Sequence, residues 1–301
     1  MPTPLNPEKS QPSQPLFGWD SLRSPKTGLL AEGGGQLGIY GVGALQCFFD
    51  AGLTFPYYIG VSAAAANIAS HLAGHRDRTA RFYLDYANRR EYMGLRAWAR
   101  TGSFFNLSYI YDTLTNHLDP IDYDTLLACP DEIRVVATDA ATGRAEYFGN
   151  SAFAGRECTA LMASCCLPVY CRPVELGGRF YFDGGVADSL PVERMLAEGC
   201  ERVVALLNRP PGYIKAPEKG GRLLRALLRR WPETAGALQL RHVHYMRSLG
   251  MLEALEREGR AVLIRPGAAL PMRTYTRRPR ALLEDVMRQG YEDAEAALFR
   301  S

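Results

Sequence analysis

Two glycine-marked turns, each directly after an apolar stretch, carry the residues that could perform acyl-transfer chemistry. The first turn reads G-G-G-Q-L-G at residues 33–38, and the second reads G-V-S-A-A at residues 60–64. Glycines allow several backbone N–H groups to point at one atom, and such a cluster of donors can hold a developing oxyanion. A serine at a strand-to-helix turn presents its hydroxyl for attack. Together the two turns predict a serine hydrolase.

The second turn places Ser62 at the centre of a degraded G-x-S-x-G elbow. Gly60 stands two residues before the serine, and Ala64 replaces the last glycine of the motif. The motif has small residues at both positions so that the strained junction of strand and helix can pack closely. Because alanine adds only one methyl group, we expect the elbow to form with slight widening.

The first turn supplies the donors in this interpretation. Gly33, Gly34 and Gly35 are the candidate oxyanion hole, and the positive end of the helix that follows them would add to it. The same run also satisfies the dinucleotide-binding pattern G-x-G-x-x-G. A nucleotide fold needs an acidic residue at the end of the second strand, whereas here that strand ends in the serine turn. Asp50 has nearly the right spacing but lies at a helix end.

A nucleophilic serine needs a base, and the histidines are poor candidates. Two lie on or just past the helix that begins at Ser62, at least two turns from its hydroxyl, and one precedes a predicted helix end. The other two lie in a basic helix without a neighbouring turn signature, so we interpret all five as surface or packing residues. They are His71, His75, His117, His242 and His244.

Asp183 is better placed to act as the base. It follows the apolar strand at residues 180–182 and precedes Gly184 and Gly185, which let the backbone bend sharply and aim the carboxylate inward. Partial burial against a serine hydroxyl would raise the basicity of the carboxylate. The alternative is an aspartate that only caps a turn. Asp139, after the strand near residue 138, is expected to have such a turn or capping role.

The elements around these turns alternate between strand and helix. Apolar or β-branched runs predict strands, and an Ala-rich helix follows the serine. This alternation predicts an α/β fold with a mainly parallel sheet that helices cover on both faces, plus one antiparallel hairpin at Leu176-Gly177-Gly178. The strands are predicted near residues 27–31, 57–60, 133–138, 144–148, 171–175, 179–182, 203–207 and 261–264.

Two other segments have a distinctive composition. Residues 76–127 are rich in aromatic side chains on predicted helices, which are typical either of core packing or of a lid over a cleft. Residues 221–231 combine leucines with Arg222, Arg225 and Arg229 on a predicted amphipathic helix. Such a helix can contact a membrane surface or pack on its own domain. No nucleic-acid partner is expected.

Length and composition bound the organisation of the 301-residue chain. Residues 1–25 contain six prolines among polar residues and are interpreted as a flexible leader. Residues 26–208 would form the catalytic core, and residues 209–301 a helical C-terminal extension with one strand, packed on the same domain. Seven scattered cysteines without metal-ligand spacing indicate a reducing, cytoplasmic location and no metal site.

The motifs in this order resemble those of the patatin-like phospholipases, particularly the bacterial cytosolic branch. The resemblance rests on four motifs: the two glycine turns, the sequence A-S-C-C-L-P at residues 163–168 and the D-G-G turn at residues 183–185. It implies a three-layer α/β/α fold that hydrolyses lipid acyl esters, as phospholipase A, lysophospholipase or carboxylesterase, through a Ser–Asp dyad without a cofactor. Ser62 would be the nucleophile and Asp183 the base.

The sequence departs from the family pattern at three places, and the departures at Leu37 and Ala64 motivate an alternative. Leu37 stands where the family often has a basic residue, Ala64 departs from the elbow, and Cys165 with Cys166 occupies positions where smaller residues are usual. The alternative is a weakly active or inactive member that binds acyl lipids without turnover.

Overall fold

A mixed eight-stranded sheet forms the centre of the molecule. The computed structural model describes residues 26–272 and 278–299, so the predicted leader lies outside the described residues. The strands are β1 (Thr27–Ala31), β2 (Tyr57–Val61), β3 (Glu132–Asp139), β4 (Ala145–Phe148), β5 (Val174–Leu176), β6 (Arg179–Asp183), β7 (Arg202–Leu206) and β8 (Ala261–Ile264).

Helices connect these strands and differ greatly in length. Short 3-10 turns cover Gly35–Leu37, Asn150–Phe153 and Gly184–Val186, and π-helical turns cover Phe82–Tyr86 and Tyr109–Leu118. The α-helices are α1 (Gly38–Asp50), α2 (Ala63–Leu72), α3 (Arg78–Arg81), α4 (Leu95–Thr101), α5 (Tyr123–Ala128), α6 (Thr159–Ser164), α7 (Val192–Ala197), α8 (Gly221–Leu227), α9 (Pro232–Arg257) and α10 (Arg280–Phe299).

The strand order is β5-β6-β3-β2-β1-β7-β8, with β4 paired to β3 off this path. The four pairs among β3, β2, β1, β7 and β8 are parallel. The pairs that involve β4, β5 and β6 are antiparallel, and β5 with β6 is the predicted hairpin. The mainly parallel sheet with an antiparallel addition is therefore confirmed.

Both faces of the sheet are covered, as predicted. Leu29 of β1 packs in one apolar cluster with Phe48 of α1 and Ile68 of α2. Its neighbour Leu30 packs in a second cluster with Tyr245 and Leu249 of α9. Since successive side chains of a strand point to opposite faces, the sheet lies between two helical layers. The fold is a three-layer α/β/α sandwich.

The C-terminal segment completes this architecture. Strand β8 pairs in parallel with β7 and extends the sheet by one strand. Helix α10 lies against α1 so closely that a methyl group on Gly43 would overlap the Met287 carbonyl, and one on Gly290 would overlap the Tyr40 carbonyl. The two helices are therefore in backbone contact.

The predicted amphipathic helix at residues 221–231 is shorter than expected. Helix α8 ends at Leu227, so Arg229 lies beyond it. Leu228 is buried, whereas Leu223 and Leu227 are 65% and 56% exposed. In the described part of the chain, no helix has both the length and the apolar character that crossing a bilayer requires.

Candidate active site

Ser62 lies at a strained turn between β2 and α2. Its backbone has φ 54° and ψ −131°, a region that residues other than glycine rarely adopt. Gly60 is required at this turn because a Cβ there would lie 2.6 Å from the Cα atom of Ala65. Ala64 is 5% exposed and packs in the apolar cluster under α2. The alanine is therefore accommodated in the elbow.

The two predicted dyad residues meet because two strands share one edge of β3. Val61, the last residue of β2, lies opposite Val136, and Asp183, the last residue of β6, lies opposite Ala137. Because β4 pairs with β3 along its other edge over the same residues, β2 and β6 approach each other end to end. The residue after β2 and the last residue of β6 are thereby brought together.

A short hydrogen bond joins these residues. The Ser62 hydroxyl donates to Oδ2 of Asp183 at 2.7 Å, while the backbone N–H of Gly185 donates to Oδ1 at 2.8 Å. Burial raises the pKa of Asp183, and the hydrogen bond from Ser62 opposes this effect. Gly184 allows the turn because a Cβ there would overlap the Val136 carbonyl. A carboxylate in this position can accept the proton of the serine hydroxyl.

Ser164 fixes the elbow from α6, a role that sequence reasoning missed. Its hydroxyl accepts a hydrogen bond from the backbone N–H of Ser62 at 2.8 Å and donates to the Val136 carbonyl at 2.5 Å. The side chain is fully buried. Its presence in the motif at residues 163–168 was the only sequence signal, because nothing in the local pattern shows which backbone group the hydroxyl contacts.

The glycine loop lies beside the serine. A Cβ on Gly33 would come within 2.9 Å of the Ser62 Cβ, and Gly35 has φ 54°. Gly35 also lines the cavity into which Ser62 opens. Among the described residues, no acceptor pairs with the backbone N–H of Gly33, Gly34 or Gly35. These groups are therefore free to bind an oxyanion.

A buried polar network holds the glycine loop from the other side, and this network was not predicted. Asn208 donates from its side chain to the carbonyl oxygens of Glu32, at 2.9 Å, and Gly33, at 3.2 Å. The Glu32 carboxyl accepts from the Asn208 backbone at 2.7 Å and from the Tyr245 hydroxyl at 3.0 Å. Burial raises the pKa of Glu32, although both donors favour its charged form.

The departures at Leu37 and Cys165 have structural explanations. Leu37 is 1% exposed and packs with Leu283 and Val286 of α10, so an apolar residue suits this position. The Cys165 sulfur lies 3.9 Å from the Ser62 hydroxyl oxygen and 2.9 Å from that of Tyr111. The thiol therefore forms part of the wall beside the nucleophile.

The remaining candidates have other roles. His71 is a partly buried side chain that packs against the rings of Phe49 and Tyr58, and its desolvation lowers its pKa to about 4. His75 accepts a hydrogen bond from the backbone of Asp122. Asp139 accepts from the backbone of Thr142 and pairs with Arg179, which is the predicted turn role.

A largely apolar cavity of about 980 Å³, including its open mouth, extends from Ser62. Five aromatic side chains from residues 76–127 line it. These are Phe82, Tyr83, Tyr92, Phe105 and Tyr111. The aromatic segment thus forms part of the cavity wall.

Two family models match parts of the chain. A family model described as patatin-like phospholipase matches residues 29–196. A second model, described as Domain of unknown function (DUF6363), matches residues 231–300. The first match covers both candidate dyad residues and the glycine loop.

Two curated relatives have similar sequences. The uncharacterized protein YjjU of Escherichia coli (strain K12) is 26% identical over 194 residues, which cover 63% of this chain and 54% of that protein. The uncharacterized NTE family protein Rv1063c of Mycobacterium tuberculosis (strain ATCC 25618 / H37Rv) is 26% identical over 183 residues, covering 61% and 49%. The chain thus spans about half the length of the curated relatives it matches.

A solved structure supports the fold. VipD from Legionella pneumophila superimposes with a TM-score of 0.51 at 14% identity, covering 98% of this chain and 72% of that chain. At this identity the likeness concerns the fold alone.

Proposed function

Because the chain belongs to the patatin-like phospholipase family, we propose that it hydrolyses acyl esters of lipids with Ser62 as nucleophile and Asp183 as base. The observation that carries this proposal is the 2.7 Å hydrogen bond from the Ser62 hydroxyl to the Asp183 carboxylate at a strained elbow. The apolar cavity beside the hydroxyl supports an acyl substrate.

The reaction would run through an acyl-enzyme intermediate. The oxygen of Ser62 attacks the ester carbonyl carbon as Asp183 takes the hydroxyl proton, and the alcohol leaves with that proton. Asp183 then takes a proton from water as the water oxygen attacks the acyl-enzyme. It returns that proton to the leaving oxygen of Ser62, which releases the carboxylic acid and restores the free serine and the carboxylate. The backbone N–H groups of Gly33, Gly34 and Gly35 would hold the oxyanion in both steps, and one such donor typically contributes about 3 kcal/mol.

Covalent labelling and ester turnover test the proposal together. A fluorophosphonate probe is expected to label the native protein but not Ser62→Ala. The native protein is expected to hydrolyse p-nitrophenyl acetate and members of a lipid panel, with the rate reduced at least ~10³-fold in Ser62→Ala and in Asp183→Asn. Ser151→Ala, which removes an exposed hydroxyl in the 3-10 turn Asn150–Phe153, is the matched control.

Three outcomes would contradict the proposal. Labelling that persists in Ser62→Ala would place the nucleophile elsewhere. Turnover that survives in Asp183→Asn would remove the aspartate from the dyad. Retention of lipid by the native protein without any turnover would favour the alternative of a binding protein.

We also propose a cytoplasmic location with membrane-surface contact through residues 221–231. The exposed side chains of Leu223 and Leu227 stand next to Arg222 and Arg225 on α8, a composition suited to an anionic bilayer surface. Cosedimentation with phosphatidylglycerol vesicles is expected for the native protein and lost in the double variant Leu223→Glu/Leu227→Glu. Leu118→Glu, at another exposed leucine, is the control. Equal sedimentation of all three proteins would refute the contact.

A further inference from the structure

The cavity beside Ser62 runs along one face of α2. The residues of this segment that line the cavity lie on one side of the helix, and they run from Ser62 to Ser70. Eight residues of α-helix advance about 12 Å. The cavity therefore extends about 12 Å along the helix from the nucleophile. We call the part beside Ser70 the far end of the cavity. The lining residues on this face are Ser62, Ala63, Ala66, Asn67 and Ser70.

A buried guanidinium lines the far end of the cavity. Arg78 is 8% exposed and donates to the Asp119 carbonyl at 2.8 Å, the Ser70 hydroxyl at 2.8 Å and the Thr115 hydroxyl at 3.1 Å. A guanidinium carries five N–H groups, so one N–H on each terminal nitrogen remains without an acceptor among the described residues.

Among the described residues, no carboxylate forms an ion pair with Arg78, although the charge of Asp119, which also lines the cavity, lies near enough to stabilise the guanidinium. The carboxylate of Asp119 is held by Arg81, which donates to both of its oxygens at 2.8 Å. Asp119 only partly offsets the cost of burying the Arg78 charge, and arginine keeps its proton even when buried. An anion in the cavity would relieve this cost.

Ser70 adds a third donor at the same place. Its hydroxyl oxygen accepts from Arg78, and within residues 26–272 and 278–299 no acceptor is assigned to its own hydrogen. Thr115, by contrast, donates to the Ile110 carbonyl at 2.7 Å. The far end thus offers two N–H groups and one O–H group to a ligand. A group that only accepts hydrogen bonds fits it best, and an ionised carboxylate is such a group.

We propose that the far end of the cavity binds the terminal carboxylate of a dicarboxylic acyl group whose other end is esterified and is attacked by Ser62. This inference rests on the proposed function, since it names the substrate class of the same site. The apolar wall between Ser62 and Arg78 would contact the methylene chain. Each carbon–carbon bond is about 1.5 Å long and advances an extended acyl chain by slightly less than that. A cavity length of about 12 Å therefore corresponds to an acyl chain of ~9 carbons.

An ordinary fatty acyl chain of this length would fit less well. Its methyl end would lie against the Arg78 guanidinium and would cover polar N–H groups without pairing them, which is unfavourable. The expected selectivity is therefore for an acyl chain that is apolar in the middle and anionic at its end.

The test compares two esters that differ only at the end of the chain. The mono-p-nitrophenyl ester of azelaic acid carries the terminal carboxylate, and p-nitrophenyl nonanoate lacks it. Each kcat/KM is divided by that for p-nitrophenyl acetate, whose acyl group is too short to reach Arg78. The native protein is expected to prefer the azelate ester at least ~10-fold, and Arg78→Met to lose this preference. Arg96→Met, at an exposed arginine of α4, is the control.

The outcomes separate the two proposals. Hydrolysis of the acetate ester without a preference for azelate would overturn this inference alone, whereas failure to hydrolyse any ester would overturn the proposed function. If Arg78→Met does not fold, Ser70→Ala removes one donor with little change of shape, and its azelate preference is expected to fall several-fold.

Binding gives a second readout that does not depend on turnover. Azelate is expected to raise the melting temperature of the Ser62→Ala protein more than nonanoate does at the same concentration, because binding to the folded state stabilises it. Equal shifts by the two acids would contradict the inference.

Discussion

Asp183 combines two properties that oppose each other in a folded protein. It is buried, and burial raises its pKa, but in the proposed mechanism it must be ionised to take the proton of Ser62. The positive charge of Arg241 and the N–H of Gly185 favour the ionised form. Because the folded-state pKa is raised, ionisation of this carboxyl at neutral pH lowers the free energy of unfolding. Burial of Asp183 thus makes its carboxylate more basic and makes the folded protein less stable at neutral pH.

The pH dependence of turnover should report this balance. The rate is expected to fall as the pH drops through the Asp183 pKa, since the protonated carboxyl cannot act as a base. Burial places this acid limb above the value of about 3.9 for an ordinary aspartate. Arg241→Gln should move the limb to higher pH because a neighbouring positive charge is lost.

The measurement is kcat/KM for p-nitrophenyl acetate as a function of pH. Arg247→Gln, on the same helix but paired with Glu193 at 2.6 Å, is the control and should leave the limb in place. If the acid limb shifts equally in both variants, the shift is a general effect of removing a positive charge, and the prediction that Arg241 acts on Asp183 is wrong.

The alanine in the elbow is expected to cost no activity. Ala64→Gly restores the family motif, but it removes a buried methyl group and introduces glycine into α2. Together these changes should lower the free energy of unfolding by about 1–2 kcal/mol. Urea denaturation measures this loss, and the ester rate should stay within about threefold of native because the dyad hydrogen bond already forms beside Ala64. A tenfold gain in rate would show instead that alanine weakens catalysis.

The sequence predicted the candidate site residues themselves. It did not predict the residues whose hydrogen bonds position them. Gly60 and Ser62 form a local motif, and the glycines after Asp183 mark a turn. The contacts of Ser164, Asn208 and Glu32 depend on long-range packing, which no local pattern encodes.

Among the elements, the decisive arrangement is the meeting of β2 and β6 on one edge of β3. Apolar runs predicted both strands and the hairpin, since these depend on local periodicity and turn residues. Periodicity does not specify which strands pair. The end-to-end approach that creates the dyad could therefore be predicted only through the family resemblance.

The contact of α1 with α10 makes a sharp prediction about stability. A methyl group on Gly290 would overlap the Tyr40 carbonyl, so Gly290→Ala must push two helical backbones apart. Such overpacking typically costs about 1–3 kcal/mol. Gly236→Ala on α9 is the matched control, because no atom lies within 4 Å of its added methyl group. This change should stabilise the helix by about 0.5–1 kcal/mol.

Urea unfolding midpoints of the two variants provide the measurement. A Gly290→Ala protein as stable as the native one would mean that the two helices do not touch as described.

For the whole molecule, we propose that the C-terminal segment is part of the folding unit. Leu283, Val286 and Ala294 of α10 are buried at 0%, 2% and 0% exposure, and the first two cover Leu37 next to the glycine loop. The sequence predicted this segment as helical and packed on the core. It did not reveal that the segment covers the start of α1, since that contact depends on tertiary structure.

Removal of the C-terminal segment should therefore unfold the core. Each large apolar side chain of α10 contributes about 1.5–3 kcal/mol by burial, and a domain has only about 5–15 kcal/mol in total. A chain that ends at Met272 is expected to lose both its cooperative melting transition and its esterase activity. Deletion of residues 2–25, the predicted flexible leader, is expected to leave the melting temperature close to native. Cooperative melting of the shortened chain would contradict the prediction.

The end-to-end meeting of β2 and β6 also has a consequence during biosynthesis. The serine and its aspartate are separated by 121 positions, so a ribosome adding about 5–20 residues per second delivers the hydroxyl roughly 6–24 s before the carboxylate. Until β6 emerges and aligns with β3, the nascent polypeptide holds a nucleophile without its proton acceptor. The proposed ester cleavage would therefore begin only after translation has passed the aspartate codon.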